Sequence, residues 1–368
     1  MKFFCESAEL ADAVLKVSKA LPVKKQLPIL EGMKFKAEGD VLTILASDLE
    51  LSIQKTIKAD IKIEGEVVVS GRFITDFVKK LKDENIEIGV NNNQMTITYS
   101  ENKVILQCLN ADEYPPILLL SADNESGFEI DGKDFKNMLE KVIFCAATDD
   151  VRPIYKGCNI ETAGNVITAV ALNGVRLGYN KRILDGDFGE LKFIAPSRSL
   201  SEVSKLIDEP EGKVKVILQK NSAQFNIGST TIITRLIEGN FIDHKKIVPT
   251  EFSVEATADK KQMEEAIERA SLILREEKGD IIKFEIKENA VEITSKSELG
   301  NIKETVTAGV KGKDLAIAFN AKYLLDMLRN IDETYIKMHF KNSTSPCVIK
   351  PIEGDAYLYL ILPIKLNA

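Results

Sequence analysis

Few side chains in this sequence have the types and spacing that catalysis requires. The chain of 368 residues contains only two histidines, His244 and His339, and neither stands in a metal-ligand spacing such as His-x-x-x-His. The phosphate-binding motifs Gly-x-Gly-x-x-Gly and Gly-x-x-x-x-Gly-Lys-Ser/Thr are absent, and the stretch from Gly309 to Lys313 has the wrong spacing for the second. Carboxylates are plentiful, but nothing singles out a pair for acid–base work. We therefore expect a protein that is not an enzyme and that uses no metal or cofactor, with a carboxylate-based nuclease or hydrolase as the catalytic alternative.

The five cysteines are odd in number and widely scattered, which argues against a disulfide framework and against a zinc site with paired ligands. We expect them to be small core residues in a reducing compartment. No apolar run approaches the roughly 18 residues of a membrane helix. The first residues, Met1 to Glu6, turn polar at once and lack the apolar core of a secretory signal. The expected location is the cytoplasm.

The chemistry that the sequence does offer is phosphate contact by basic residues at a recurring spacing. A basic residue, an acid four positions later and a second basic residue seven positions later occur three times, each time in a predicted helix. The members are Arg72, Asp76 and Lys79; Arg198, Glu202 and Lys205; and Lys322, Asp326 and Arg329. At about 100° per residue the two basic positions lie within about 20° of each other, so they share one face of the helix.

Another predicted helix in each copy adds one more basic residue. These residues are Lys16, Lys141 and Arg269. The net charge of −7 opposes a general affinity for nucleic acid, because phosphate binding depends on Lys and Arg. Basic residues on a helix also commonly serve only to solubilise its exposed face. Recurrence in all three copies favours a functional basic stripe, and the neighbouring acids suit DNA binding that must be weak.

The helices belong to a unit that the sequence contains three times. The stretches 32–45, 157–170 and 280–294 each have the pattern of a strand, a tight polar turn and a second strand. A helix precedes each hairpin, and its apolar residues recur at i, i+3, i+4 and i+7. The predicted fold class is α+β, with two helices and a mostly antiparallel sheet in each of three domains. The predicted domain ranges are 1–121, 127–247 and 252–368.

Helix packing limits the ring that such units can form around DNA. If neighbouring helices are about 10 Å apart, the six helices of one chain give a circle about 19 Å across, which leaves no room for a duplex. Twelve helices give about 38 Å between helix axes and an opening of about 30 Å. We therefore predict a two-fold dimer whose six domains form a ring, with helices lining the central hole.

Short stretches along the chain carry a family resemblance. They are Leu27-Pro-Ile-Leu, Ser47-Asp-Leu-Glu, Asn110-Ala-Asp-Glu-Tyr-Pro-Pro, Asp150-Val-Arg-Pro-Ile-Tyr-Lys-Gly, Asn173-Gly-Val-Arg-Leu, Leu236-Ile-Glu-Gly-Asn-Phe-Ile-Asp, Phe319-Asn-Ala-Lys-Tyr-Leu and Leu362-Pro-Ile-Lys-Leu. In order and spacing they resemble the bacterial DNA polymerase III beta subunit, or sliding clamp, family over essentially the whole chain. The resemblance implies a head-to-tail homodimeric ring that encircles duplex DNA and acts as a processivity factor.

The resemblance also implies a hydrophobic pocket between the second and third domains. There the DNA polymerase III alpha subunit, the clamp loader and repair polymerases would dock short hydrophobic motifs. The matching positions are Tyr155, Leu172, Gly174, Val175, Arg176, Leu177, Ile242, Lys246, Ile247, Pro346, Leu360, Ile361, Leu362, Pro363 and Ile364. The alternative for 357–362 is a strand that only completes the third sheet. Asn173, Val175, Ile242 and the terminal Asn367-Ala368 depart from the family pattern and affect the expected affinity of the pocket.

For DNA contact the resemblance further implies a loop with Lys24 and Lys25, and Arg152 near the start of the second domain. At the subunit contact it implies an edge strand whose basic residue faces acids of the partner, beside an apolar pair. These residues are Lys103, the acids Glu298 and Glu304, and the apolar Leu272 and Ile273. The alternative to a clamp is a triplicated protein–protein interaction scaffold that does not encircle DNA.

Overall fold

Antiparallel strands and short helices make up the computed structural model of the chain. The structure describes residues 1–24, 27–82, 85–117, 119–120, 126–207, 212–274 and 280–365. The first repeat consists of β1 (Lys2–Glu6), α1 (Ser7–Val17), β2 (Gly32–Glu38), β3 (Val41–Ser47), β4 (Leu51–Lys58), β5 (Asp60–Ile63), β6 (Gly65–Ser70), α2 (Gly71–Val78), β7 (Asn85–Asn91), β8 (Gln94–Tyr99) and β9 (Asn102–Leu109).

The two later repeats have the same order of elements apart from β5. The second consists of β10 (Ser126–Asp131), α3 (Gly132–Ile143), β11 (Gly157–Ala163), β12 (Val166–Leu172), β13 (Arg176–Ile183), β14 (Glu190–Pro196), α4 (Ser197–Leu206), β15 (Lys213–Leu218), β16 (Ser222–Ile227) and β17 (Thr230–Arg235). The third consists of β18 (Val254–Asp259), α5 (Lys260–Ser271), β19 (Ile281–Lys287), β20 (Ala290–Ser297), β21 (Gly300–Gly312), β22 (Leu315–Asn320), α6 (Ala321–Arg329), β23 (Tyr335–Phe340), β24 (Cys347–Lys350) and β25 (Tyr357–Ile361). The predicted α+β class and the triplication are confirmed.

The helices form where apolar residues recur on one face, and at α5 and α6 a polar side chain also caps the first turn. The apolar stripes predicted for α1, α3 and α5 are at most 1% exposed, so each stripe packs fully into a core. Asp259 Oδ1 accepts a hydrogen bond from Gln262 N at 2.8 Å at the start of α5, and Asn320 Oδ1 accepts one from Tyr323 N at 3.1 Å at the start of α6. The sequence therefore specifies both the buried face of these helices and where α5 and α6 begin.

The chain divides into two compact units, and each contains one continuous antiparallel sheet. Met1–Phe135 with Glu202–Leu236 forms the first unit, and Lys136–Ser201 with Ile237–Ala368 forms the second. In the first unit the strand order is β10-β15-β16-β17-β4-β3-β2-β6-β9-β8-β7-β1-β5. In the second it is β14-β11-β12-β13-β25-β24-β23-β18-β21-β20-β19-β22. The second repeat thus contributes strands to both sheets.

Strand pairing joins consecutive repeats by the same rule in both units. The last strand of the second repeat, β17, pairs with β4, the third strand after the first helix of the chain. The last strand of the third repeat, β25, pairs with β13, the equivalent strand of the second repeat. β25 also pairs with β24 of its own repeat. It therefore both completes the strands of the third repeat and links them to the second repeat.

All five cysteines are buried and unpaired, as predicted. Burial raises the pKa of the Cys5 thiol to about 12, so this thiol stays protonated at neutral pH. Within the described residues, no helix combines the length and the apolar character that crossing a membrane requires.

Candidate DNA and peptide interfaces

The first basic residue of each repeated helix pattern is exposed. Arg72, Arg198 and Lys322 lie in the first turns of α2, α4 and α6. Arg72 and Lys322 form no ion pair with any residue that the structure describes. Their charges are therefore available to an anion such as a phosphate group.

The second basic residue of the first two patterns is already paired with an acid of its own helix. Lys79 Nζ lies 3.2 Å from the carboxylate of Asp76, and Lys205 Nζ lies 2.7 Å from that of Glu202. Exposed pairs of this kind add little stability but reduce the local positive charge. On α2, for example, Arg72 thus offers more positive charge to a phosphate than Lys79, which Asp76 partly neutralises.

In the third copy, acids from other elements pair with the basic residues. Arg329 lies 2.7 Å from Glu268 and 3.4 Å from Glu264, both in α5. Arg269 of α5 lies 2.8 Å from Glu304 of β21. The side chains of Arg269 and Arg329 are both 52% exposed. Both guanidinium groups therefore stay at the surface, with their charge partly cancelled.

Lys141 lies in the last turn of α3 and is already paired with an acid. Its Nζ is 2.5 Å from Asp332 Oδ2 and 6.0 Å from the centre of the Tyr357 ring, and its side chain is only 11% exposed. Lys16, the equivalent residue of α1, is 20% exposed and pairs with Asp12. An ammonium group that a carboxylate already neutralises offers less charge to a phosphate. Lys141 is therefore a weaker candidate for DNA contact than Arg72 and Lys322.

The loop residues expected to contact DNA are only partly described. Lys24 is exposed, whereas Lys25 lies outside the described residues. Arg152 is exposed, and its Nη1 donates a hydrogen bond to Tyr155 Oη at 3.2 Å. Its guanidinium lies 5.5 Å from the centre of the Tyr155 ring. Arg152 is thereby held beside the apolar cluster that contains Tyr155.

That apolar cluster, in the second unit, forms the floor of a candidate peptide groove. Its sequence-predicted members are Tyr155, Leu172, Leu177 and Leu360, and all four are buried. Sequence reasoning missed the other five buried members, among them Phe241 and Val348. Val348 pairs in register with Leu360, and the continuous apolar run from Cys347 to Ile349 was the signal that could have found it. Phe241 meets the Tyr155 ring edge-on at 6.3 Å.

The tight turn from Asn173 to Val175 is the candidate lip of this groove. Asn173 Oδ1 accepts hydrogen bonds from Val175 N at 3.0 Å and from Arg176 N at 2.9 Å. Gly174 has a φ of 91°, a conformation that favours glycine. Val175 O accepts a hydrogen bond from Leu362 N at 2.8 Å, which joins the lip to the chain that follows β25.

Apolar side chains around the lip remain exposed. They are Val175, Ile242, Ile247 and Leu362, each 36–39% exposed. Lys246 is exposed beside Asp243, at 3.6 Å. Of the other predicted positions, Pro346, Pro363 and Ile364 are half-buried and Ile361 is fully buried. Ile364 N donates to Ala318 O at 2.8 Å, and Asn367-Ala368 lies outside the described residues.

Arg176, one of the positions that the family resemblance assigns to the pocket, is buried beneath its surface. The residue is 8% exposed, and its Nη1 lies 2.6 Å from Asp326 Oδ2. Its Nη2 donates to Phe144 O at 2.5 Å. The guanidinium also lies 5.3 Å from the Phe144 ring centre and 4.4 Å from that of Tyr323. Arg176 therefore acts beneath the groove, not within its opening.

Two strands have open edges where the resemblance places the subunit contact. In the first unit, β9 pairs with β8 over 102–107 and with β6 only at Cys108 and Leu109. In the second unit, β21 pairs with β20 over 300–307 and with β18 only over 308–312. Among the described residues, 102–107 and 300–307 each lack a strand partner on one edge. Such edges are templates for pairing with another chain.

The residues predicted for the subunit contact lie on or near these edges. Lys103 is exposed on β9, and Glu298 is exposed just before β21. Leu272 is 52% exposed and Ile273 is half-buried, both directly after α5. Glu304 is on β21, where Arg269 of the same chain binds it.

Comparison with known proteins gives one consistent result. Family models for the N-terminal, central and C-terminal domains of the DNA polymerase III beta subunit match residues 1–119, 129–243 and 245–365. The beta sliding clamp of Staphylococcus aureus strain Mu50 is 31% identical over 358 residues, which cover 94% of each chain.

Two solved structures agree with this match over their full lengths. The DNA polymerase sliding clamp from Bacillus subtilis has a TM-score of 0.96 and 29% identity, and each chain is covered completely. The DNA polymerase III beta subunit from Thermotoga maritima has a TM-score of 0.92 and 32% identity, again with complete coverage. The chain belongs to the DNA polymerase III beta subunit family, the bacterial beta sliding clamps.

Proposed function

We propose that the protein is a DNA sliding clamp, a processivity factor that encircles duplex DNA in the cytoplasm and tethers polymerases to it. The observation that carries the proposal is an exposed basic residue at the same helix position in all three repeats of a chain with a net charge of −7. Its membership of the beta sliding clamp family supports the same function. The scaffold that does not encircle DNA is not favoured by this family.

The proposed DNA contacts are weak and independent of sequence. Arg72, Arg198 and Lys322 would face the phosphates, and Lys24, Lys25 and Arg152 would add contacts from loops. Lys79, Lys205, Arg269 and Arg329 would contribute less, because acids already pair with them. Contacts to phosphates, many through water, hold DNA without reading bases. A clamp needs this weakness, since it must move along the duplex.

Strand pairing between repeats suggests how the ring closes. We propose three clamp domains in each chain, at residues 1–121, 127–247 and 252–368. β17 pairs with β4 and β25 pairs with β13, always the last strand of one repeat with the third strand after the first helix of the repeat before it. β9 is the last strand of the first repeat, and β21 is the third strand after the first helix of the third repeat. Both have open edges. Two chains placed head to tail would pair β9 of one with β21 of the other and close a ring of six domains.

At this proposed contact, Lys103 would face Glu298 and Glu304 of the partner subunit. Exposed ion pairs are worth only about 0 to 1 kcal/mol each, so they would set register more than strength. Burial of Leu272 and Ile273, together with the strand hydrogen bonds, would supply most of the affinity.

The groove above Tyr155, Leu177 and Leu360 would receive short hydrophobic segments of the DNA polymerase III alpha subunit, the clamp loader and repair polymerases. Its floor is apolar, and the apolar side chains of its rim are more than a third exposed. A peptide that covers these rim residues removes their surface from water, which is the main source of affinity for such a site.

Removal of residues 363–368 tests the tethering role. The deletion removes Ile364 and its hydrogen bond to Ala318 while it retains β25. We expect a fluorescent peptide with the clamp-binding segment of the alpha subunit from the same organism to bind at least about tenfold more weakly, and light scattering to report an unchanged dimer. Extension of primed circular DNA by the loaded polymerase should yield shorter products.

A matched pair of substitutions controls for nonspecific effects of the deletion. Leu362 and Ile352 are 38% and 39% exposed, but only Leu362 lies at the groove. Leu362→Ser should weaken peptide binding, whereas Ile352→Ser should leave it unchanged. Equal affinity of the deletion variant and the full chain would exclude this groove as the docking site.

A further inference from the structure

The acid of the third helix pattern has a different partner from its two equivalents. Asp76 and Glu202 pair with the lysine three residues later in their own helices, at 3.2 and 2.7 Å. Asp326 holds the same place in α6, but its carboxylate lies 2.6 Å from Arg176 Nη1, 150 residues away in the sequence. The Asp326 side chain is 27% exposed, compared with 69% for Asp76 and 14% for Glu202. The acid of the third repeat therefore differs from its two equivalents in its partner, which is a distant arginine instead of a lysine of its own helix.

Asp326 supplies the counter-charge of a buried guanidinium. Arg176 is 8% exposed, and two aromatic rings, of Phe144 and Tyr323, lie against it. Its other acceptor is the neutral carbonyl of Phe144, and its Nε has no partner among the described residues. A buried charge without its only ionic partner becomes costly to hold in place. The position of Arg176 thus depends on Asp326.

Arg176 in turn adjoins both the lip and the floor of the groove. Its backbone N donates to Asn173 Oδ1 at 2.9 Å, and its backbone O accepts from Asn173 N at 3.2 Å. It begins β13, where it pairs in register with Ile361. Its chain neighbours are Val175 at the lip and Leu177 in the floor. A shift of Arg176 would therefore move residues that a docked peptide touches.

We propose that Asp326 is a positioning residue for the peptide groove, which it shapes by fixing Arg176 and the turn from Asn173 to Val175. The inference rests on the proposed function, since it assigns a role at the same groove. Asp326 lies in α6, the same helix that carries the exposed Lys322. One helix thus carries a proposed DNA contact on its surface and holds the docking groove from below.

Asp326→Asn in the full-length protein is the direct test, because it keeps an acceptor of the same shape and removes the charge. The matched control is Asp76→Asn, which changes the equivalent acid in the first repeat. The probe is the fluorescent alpha-subunit peptide described above. We expect its Kd to rise about tenfold for Asp326→Asn and less than about twofold for Asp76→Asn.

Two further readouts separate positioning from a general loss of stability. Hydrogen exchange of the Val175 and Arg176 amides, which donate to Asn173, should become faster in Asp326→Asn than in Asp76→Asn. Arg176→Gln combined with Asp326→Asn should bind the peptide no more weakly than the weaker single variant, because both changes break one interaction.

The outcomes distinguish this inference from the proposed function. If the wild-type protein fails to bind the peptide, the proposed function is wrong at this groove. If the wild type binds and Asp326→Asn binds equally well, only the role of Asp326 is overturned. Should Asp326→Asn fail to fold, Asp326→Glu replaces it, with the charge kept and the carboxylate displaced by one methylene group. We expect about threefold weaker binding for that variant, and wild-type affinity would overturn the inference.

Discussion

A basic side chain attracts a phosphate only to the extent that no neighbouring carboxylate cancels its charge. The repeated helix pattern provides an internal comparison of this effect. Arg72 and Lys322 have no ion-pair partner among the described residues, whereas Lys79 binds Asp76 at 3.2 Å. The first position of the pattern should therefore contribute more to DNA binding than the second, although both positions share one helix face.

Alanine at Arg72 and Lys322 tests this ranking. Binding of the protein to a short fluorescent duplex should weaken, and the salt dependence of log Kd should fall by about 1 for each phosphate that the variant no longer neutralises. Lys79→Ala is the control, and we expect a smaller change in slope. A slope unchanged by both sets of variants would assign these residues to solubility alone.

Both histidines should make stability depend on pH. His244 and His339 are half-buried, and burial lowers the pKa of each imidazole below its usual value of 6.5. In the unfolded chain the imidazoles bind protons first on acidification, so the stability they contribute is full above about pH 7 and is lost progressively as pH falls from about 6.5 through the lower pKa of the folded state. We expect the melting temperature to decline from pH 7.5 to 5.5.

The double variant His244→Asn with His339→Asn serves as the control for the pH effect. Its melting temperature should depend less on pH over this range than that of the wild type, whatever its absolute stability. An identical pH dependence would show that other groups cause the decline.

At the scale of elements, local periodicity predicted the helices and hairpins, because each apolar stripe and each turn lies within about fifteen residues of sequence. The groove floor was also predictable in part, from apolar residues in stretches with a family resemblance. Partners distant in sequence were not predictable. Asp332 lies 191 residues from Lys141 and Asp326 lies 150 residues from Arg176, so the burial of those two cations could not be inferred from spacing.

The open edges of β9 and β21, together with the segment after α5, form the proposed contact between two chains, and a substitution there should prevent dimer formation. Leu272 is 52% exposed, so Leu272→Asp should cost the single chain little while it places a charge in the proposed subunit contact. Light scattering at micromolar concentration should give the mass of one chain, 40.9 kDa, instead of twice that mass. Ile183→Asp, at a residue that is 72% exposed and outside the proposed contact, should remain dimeric. A dimeric Leu272→Asp variant would require a different interface.

At the scale of the whole molecule, a closed ring can combine weak DNA contacts with strong retention on DNA. Arg72, Arg198 and Lys322 would hold DNA only loosely, because phosphate contacts of this kind dissociate as salt rises. A closed ring does not depend on them for retention, since a duplex cannot leave it sideways. Weak binding to phosphates also permits movement along DNA, while the groove keeps a polymerase attached to the ring.

The proposal that the protein closes into a ring around DNA can be tested by comparing its retention on circular and on linear DNA after loading. The protein is loaded by the clamp loader of the same organism onto nicked circular DNA, the complex is separated in high salt, and half of it is first linearised with a restriction enzyme. We predict that the clamp stays on the circle in high salt and escapes from the linear molecule through its free ends. Equal dissociation from both forms, or equal retention on both, would contradict a ring that encircles DNA.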